Sequence, residues 1–204
     1  MLENNAAPVC QDRRARTQRG VAAVEFALVV VVFLALVFGV LELARSVYLI
    51  NTLQEVTRRA ANAAAHVDFR DTSRMSAVRQ SAIFRDSGGP LLLGDPVTDN
   101  NVRIDYLAAV RASSGQLTLT PIPASAMPSC PARNRVICKS DPNDSSCIRF
   151  IRARVCGASD GDACPALRYQ VAFPFIDMPF NLPAAPTIVS AESLGFVQGM
   201  LPCP

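Results

Sequence analysis

The chain has 204 residues, half of them apolar, with a formal net charge of +3, one His and no Trp. That length allows one domain with an anchor, or at most two small domains. The charge is too mild to point to nucleic acid or an acidic partner, and the basic residues stand singly without interleaved aromatics. Residues 2 to 20 are polar and carry Arg13, Arg14, Arg16 and Arg19. The apolar residues then concentrate between Val21 and Leu41, where Glu25 is the only charge. At about 1.5 Å per residue this run makes a helix of roughly 31 Å, the thickness of a bilayer's hydrocarbon core. Val29 to Val32 would weaken a helix in water, but lipid forces every backbone group to pair internally.

A cleaved secretory signal would have a shorter apolar region and then a small-residue cleavage site. Here the apolar run passes into LELARSVYLINTLQEVTRRAANAAA without a turn signal. Leu43, Val47, Ile50, Leu53, Val56, Ala60, Ala63 and Val67 recur at helical steps, with Glu55 and Arg59 paired i,i+4 on the polar side. One helix over residues 21–67 is expected, membrane-spanning over 21–41 and amphipathic beyond. Four arginines precede the span and only Arg45 closely follows it, so the N-terminus is expected in the cytoplasm and residues 68–204 outside it.

A carboxylate in a membrane span is costly, and no Lys or Arg lies between Val21 and Leu41 to pair with Glu25. Glu25 either snorkels to the cytoplasmic interface or finds a cation on another chain. Cutting after Gly20 would supply that cation as a new α-amino group on Val21. In a packed array, the amine of one subunit could pair with Glu25 of its neighbour and set axial register, as buried polar groups do in coiled coils.

Beyond the long helix, Asp71 to Arg85 reads as a shorter one, with Met75, Val78, Ala82 and Ile83 on one side and Ser87-Gly-Gly-Pro90 as its stop. The segments after Pro90 read as strands separated by turn clusters. Val102, Ile104 and Tyr106 alternate with polar residues, as do Leu117 and Leu119. Ile148 and Phe150 share one face and Ile151, Ala153 and Val155 the other, a slip that a β-bulge at Phe150-Ile151 would absorb. Tyr169, Val171, Phe173 and Phe175 form the cleanest alternation; Phe180 to Pro186 and the chain end look irregular. The fold class is therefore α+β, a long N-terminal helix and then a small β-rich, disulfide-bonded domain.

Cys10 precedes the span; Cys130, Cys138, Cys147, Cys156, Cys164 and Cys203 come after it. An even set beyond a membrane reads as a disulfide framework. Zinc is disfavoured, since no pair has CxxC spacing and His66 belongs to the long helix. Six cysteines allow 15 pairings. A continuous strand from 147 to 156 would hold Cys147 and Cys156 about 30 Å apart and forbid that bridge, leaving about 12. The acidic loops at 140–147 and 157–164 lack the ligand spacing of an EF-hand and read as solvated turns. No catalytic, metal or cofactor constellation emerges, and Asn143-Asp-Ser145, a glycosylation sequon, carries little weight.

The stretch Arg19 to Leu28, R-G-V-A-A-V-E-F-A-L, resembles the type IV prepilin processing site and, more closely, the TadE-like pseudopilins of tight-adherence (Flp) pili. The resemblance covers about residues 13 to 65, including Arg58, Arg59 and the alanines that close the helix; the tail matches in character only. It implies cleavage between Gly20 and Val21 by a prepilin peptidase, which removes residues 1–20, and makes Glu25, with Phe26 after it, the register carboxylate. It also implies partners among other pilins and pseudopilins and the inner-membrane pilus assembly platform, with membrane lipid around the span, and no enzymatic role. Cleavage would delete Cys10 and leave six cysteines. The proline that many relatives carry inside the apolar run is absent. The rival reading is an uncleaved single-pass protein with an exported sensor or ligand-binding domain.

Overall fold

The computed structural model describes residues 12–159, 163–173, 178–201 and 203, with side chains described from residue 20 onward. Two units pack separately, one ending at Ala44 and the other beginning at Arg45; the boundary falls inside the first helix. That helix, α1 (Asp12–Ala64), starts nine residues before the expected Val21 and ends three before the expected Val67. Its end is set locally: the Asp68 side chain accepts from the Arg70 amide at 2.9 Å, and Asp71 caps the next helix through the Arg74 amide at 3.0 Å. Gly20–Ala64 is the one segment among the described residues that is long and apolar enough to cross a membrane.

In the second unit, α2 (Thr72–Ala82) buries Met75, Val78 and Ala82, the expected face, and stops where Phe84 enters the left-handed region at φ 61°. Beyond it lies a four-stranded antiparallel sheet, in the order β2-β1-β3-β4, made of β1 (Val102–Arg111), β2 (Leu117–Pro121), β3 (Phe150–Val155) and β4 (Thr187–Ser190). Tyr106 stands opposite Ile151, Ile104 opposite Ala153 and Val102 opposite Val155, so the alternating apolar residues of β1 and β3 share one face. Against them lies the C-terminal part of α1, with Leu49, Leu53, Val56, Ala60 and Ala61 in one cluster with Val102, Ala153 and Val155. The alanines let helix and sheet approach closely, and each fully buried Leu or Val contributes about 1.5–3 kcal/mol. The buried stripe of α1 passes through Leu49, whereas Leu43 and Val47 are exposed, so the expected stripe is displaced at its N-terminal end.

Three further expectations change. Residues 169–173 form no strand: Tyr169 and Leu182 donate backbone hydrogen bonds to Phe180 and Leu167 beside an isolated bridge, and the ring of Tyr169 stacks on Phe180 at 4.5 Å. Pro165, Pro179 and Pro183 lack the amide donors that a ladder would need on both sides. Phe175 lies outside the described residues. The fourth strand comes instead from Thr187–Ser190, immediately after Pro186. The Phe150-Ile151 slip needs no bulge, because β3 begins at Phe150 and Ile148 is buried ahead of it. Finally, α3 (Pro131–Ser140) is a helix where strands and turns are expected; Pro131 opens its first turn and Cys130 takes the N-cap position. From α3, the buried Asn134 accepts from the Ile148 amide at 2.8 Å and donates to the Ile148 carbonyl at 3.3 Å, holding the chain that leads into β3.

Candidate functional site

The residues singled out for processing and assembly sit on the first unit of α1. Gly20, Val21, Glu25 and Phe26 are all exposed, and the helix runs through Gly20 without a break. Val21 and Glu25 are four residues apart, one helical turn, so both lie on the same side of α1. Phe26 is 71% exposed and Val21 59%, with Val24, Leu28, Val29, Val31, Val32 and Phe33 comparably open. A Cβ added at Gly20 would meet nothing within 4 Å, so no packing requires glycine there. What glycine does supply is a weak link in the helix, disfavoured by about 1 kcal/mol relative to alanine. Side chains of the leader arginines and all of Cys10 lie outside the described residues.

Such a row of apolar side chains without partners is unstable in water and needs lipid or other helices around it. Its chemistry is that of packing; among the described residues no group of three or more His, Cys, Asp or Glu could hold a metal ion.

At the first residue of the second unit, Arg45 gathers two distant segments. Its Nε donates to the Leu93 carbonyl at 3.0 Å and its Nη2 to the Asp95 carbonyl at 3.3 Å. Its Nη1 donates to the Gln170 carbonyl at 2.7 Å and to the Tyr169 hydroxyl at 3.1 Å, and the guanidinium lies 5.2 Å from the centre of the Tyr169 ring. Only a planar fork can serve acceptors spread over this arc.

A model of the TadE-like protein family matches residues 20–62. That segment is TadE-like. No curated protein and no solved structure matches the chain. The TadE-like segment takes in Gly20, Val21, Glu25 and Phe26 and ends within the buried part of α1, two residues before the helix does. Everything after it, the sheet and the cysteines included, lies beyond the match.

The six cysteines beyond the TadE-like segment form three disulfides: Cys130–Cys203, Cys138–Cys147 and Cys156–Cys164. Cys147 and Cys156 are not joined, although the strand between them covers only Phe150–Val155 of the expected 147–156. The second and third bridges each close one of the acidic loops. In the first loop the carboxylates fold onto their own backbone: Asp141 accepts from the Asn143 amide at 2.8 Å, and Asp144 from the Ser146 amide at 2.7 Å and hydroxyl at 2.6 Å. The two Ser146 hydrogen bonds hold the Asp144 carboxyl below its ordinary range. In the second, the Ser159 hydroxyl donates to the Ala163 carbonyl at 2.6 Å, and residues 160–162 lie outside the described residues.

Two features are not legible in the sequence. Arg45 reads there only as a charge just past the span; nothing in one dimension reveals that Leu93 and Gln170 return to it. On the sheet face opposite α1, Asp105 pairs with Arg103, Arg152 and Arg154 at 3.1, 3.0 and 2.7 Å. The alternation of Arg103 with Asp105, and of Arg152 with Arg154, is visible in the sequence, but the register that brings Arg152 opposite Asp105 is not.

Proposed function

We propose that the chain is a minor pseudopilin of the tight-adherence (Flp) pilus, acting in pilus assembly or adhesion. The observation that carries this reading is the TadE-like match over residues 20–62, which falls on a helix whose residues 20–36 are, Val30 apart, exposed. Residues 21–41 hold the chain in the bacterial inner membrane, with residues 1–20 in the cytoplasm and the disulfide-bonded domain in the periplasm. The oxidising compartment agrees with three disulfides.

A prepilin peptidase cuts between Gly20 and Val21. The new α-amino group and Glu25 then stand one turn apart on each subunit, two opposite charges at the start of an otherwise apolar helix. Packing against other pilins within the assembly platform lets the amine of one chain meet Glu25 of the next. That pairing offsets the cost of burying both charges and selects one axial register.

Intact-mass spectrometry of the protein from the membrane fraction of its native host tests the reading. A chain beginning at Val21 is expected. A chain still beginning at Met1 leaves an uncleaved single-pass protein with an exported domain, and defeats the pseudopilin assignment. The register role has its own test: Glu25→Ala should abolish pilus incorporation while membrane insertion continues, and normal incorporation of that variant would remove Glu25 from the mechanism.

A further inference from the structure

The turn that Arg45 holds carries two leucines at its tip. Leu91 is buried and anchors the turn; its amide donates to the Val97 carbonyl at 2.8 Å, and the Gly94 amide donates back to the Leu91 carbonyl at 2.9 Å. Leu92 and Leu93, by contrast, are 73% and 65% exposed. Leu93 stands at φ 55°, in the left-handed region that leucine seldom adopts. A turn meant only for water would place Gly or Asn there, and polar residues at both positions. Here the backbone is held in that shape by Arg45, which binds the carbonyls of Leu93 and Asp95, so the leucines project from a built turn.

Arg45 comes four residues after Leu41, the last residue of the apolar run. Val47 and Tyr48 come next on α1, 51% and 42% exposed. An arginine, a tyrosine and exposed aliphatic residues just past the end of an apolar span are the composition of a membrane interface, where long cationic and aromatic side chains reach the headgroups. We infer that the Leu92-Leu93 tip, held by Arg45, inserts into the interface of the leaflet from which α1 emerges and gives the exported domain a second membrane contact. The occupant is lipid rather than a second copy of the chain, because two leucines on one turn fall far short of the roughly 800 Å² per partner that a stable protein interface buries. This inference rests on the membrane reading of residues 21–41.

The absence of Trp from the sequence makes a single introduced Trp a unique reporter. The full chain, carrying Leu92→Trp, is reconstituted into vesicles of phosphatidylcholine and phosphatidylglycerol, with and without phosphatidylcholine brominated either near the headgroup end or near the methyl end of its acyl chains. Val32→Trp, within the span, is measured alongside, and non-reduced peptide mapping checks that both variants keep their three disulfides. The expected result is a blue-shifted emission from Leu92→Trp that brominated lipid quenches, together with quenching of Val32→Trp. Quenching of Val32→Trp alone overturns the tip contact and leaves the span intact. In that case a blue shift that grows with protein-to-lipid ratio would assign the tip to a second copy instead. If neither Trp is quenched, the membrane reading fails and the tip contact fails with it.

Discussion

Thr57 on α1 and Thr187 on β4 place their hydroxyl oxygens 2.9 Å apart, a side-chain hydrogen bond that ties the long helix to the far edge of the sheet. Thr57 is fully buried and also donates to the Gln54 carbonyl at 3.1 Å, so Thr187 is the natural donor to it. Around this pair the contact is otherwise apolar. Thr57→Val removes the acceptor and strands the Thr187 hydroxyl, and should cost about 1–2 kcal/mol. Replacing both residues by Val should recover part of that loss, because no polar group is then left unpaired. Urea unfolding of the two single variants and the double variant in detergent measures the coupling; additive costs would show that the hydroxyls act independently.

Arg45→Ala removes donors from four acceptors on two segments and should destabilise the second unit by about 2 kcal/mol. Arg45→Lys should recover little, since an ammonium cannot face Leu93, Asp95 and Gln170 together. Limited proteolysis supplies the local readout, with faster cleavage between Pro90 and Pro96 in both variants. Wild-type cleavage rates there would show that the turn holds its shape without the guanidinium.

Tyr106 gives the domain an alkaline limit. Burial raises its phenol well above the ordinary range and the Asp68 carboxylate adds to this, with Arg79 opposing. An unfolded tyrosine loses its proton near pH 10, while the folded one keeps it. The contribution is therefore complete below about pH 10 and is lost above it, at about 1.4 kcal/mol per pH unit. Tyr106→Phe should abolish that slope while losing only a 3.5 Å contact to the Met75 sulfur. Chemical unfolding at a series of pH values from about 9 to about 12, bracketing the ordinary phenol, separates the variants. Equal slopes would assign the alkaline sensitivity elsewhere.

The three disulfides should differ in weight. Cys130–Cys203 spans 73 residues, against 9 for Cys138–Cys147 and 8 for Cys156–Cys164. On the loop-entropy account the first constrains the unfolded chain by about 4 kcal/mol and the others by about 2.5 kcal/mol each. Paired Cys→Ser variants, compared by thermal unfolding, should therefore rank Cys130/Cys203 as the most damaging. A reversed order would mean that the short bridges act through the native shape of the acidic loops.

The apolar run from Val21 to Leu41, the family resemblance around Gly20 and Glu25, and the α+β class were all determined by the sequence alone. A membrane-length segment is written in consecutive residues, so local composition suffices to read it, and periodicity likewise gives the buried stripe of α1 at Leu53, Val56 and Ala60, though not at Leu43 and Val47. The same holds for Met75, Val78 and Ala82 on α2 and for the alternation in β1. The tertiary structure decided what depends on residues far apart in the chain. Tyr169 to Phe173 alternate as well as any strand, yet the ladder partner went to Thr187–Ser190, because a strand needs a neighbour with free backbone groups and the prolines around the earlier segment withhold them. Pairing of the cysteines, the meeting of Asp105 with three arginines, and the return of Leu93 and Gln170 to Arg45 are likewise long-range. Each is fixed by strand register and chain reversal, which set distances that spacing along the sequence does not encode.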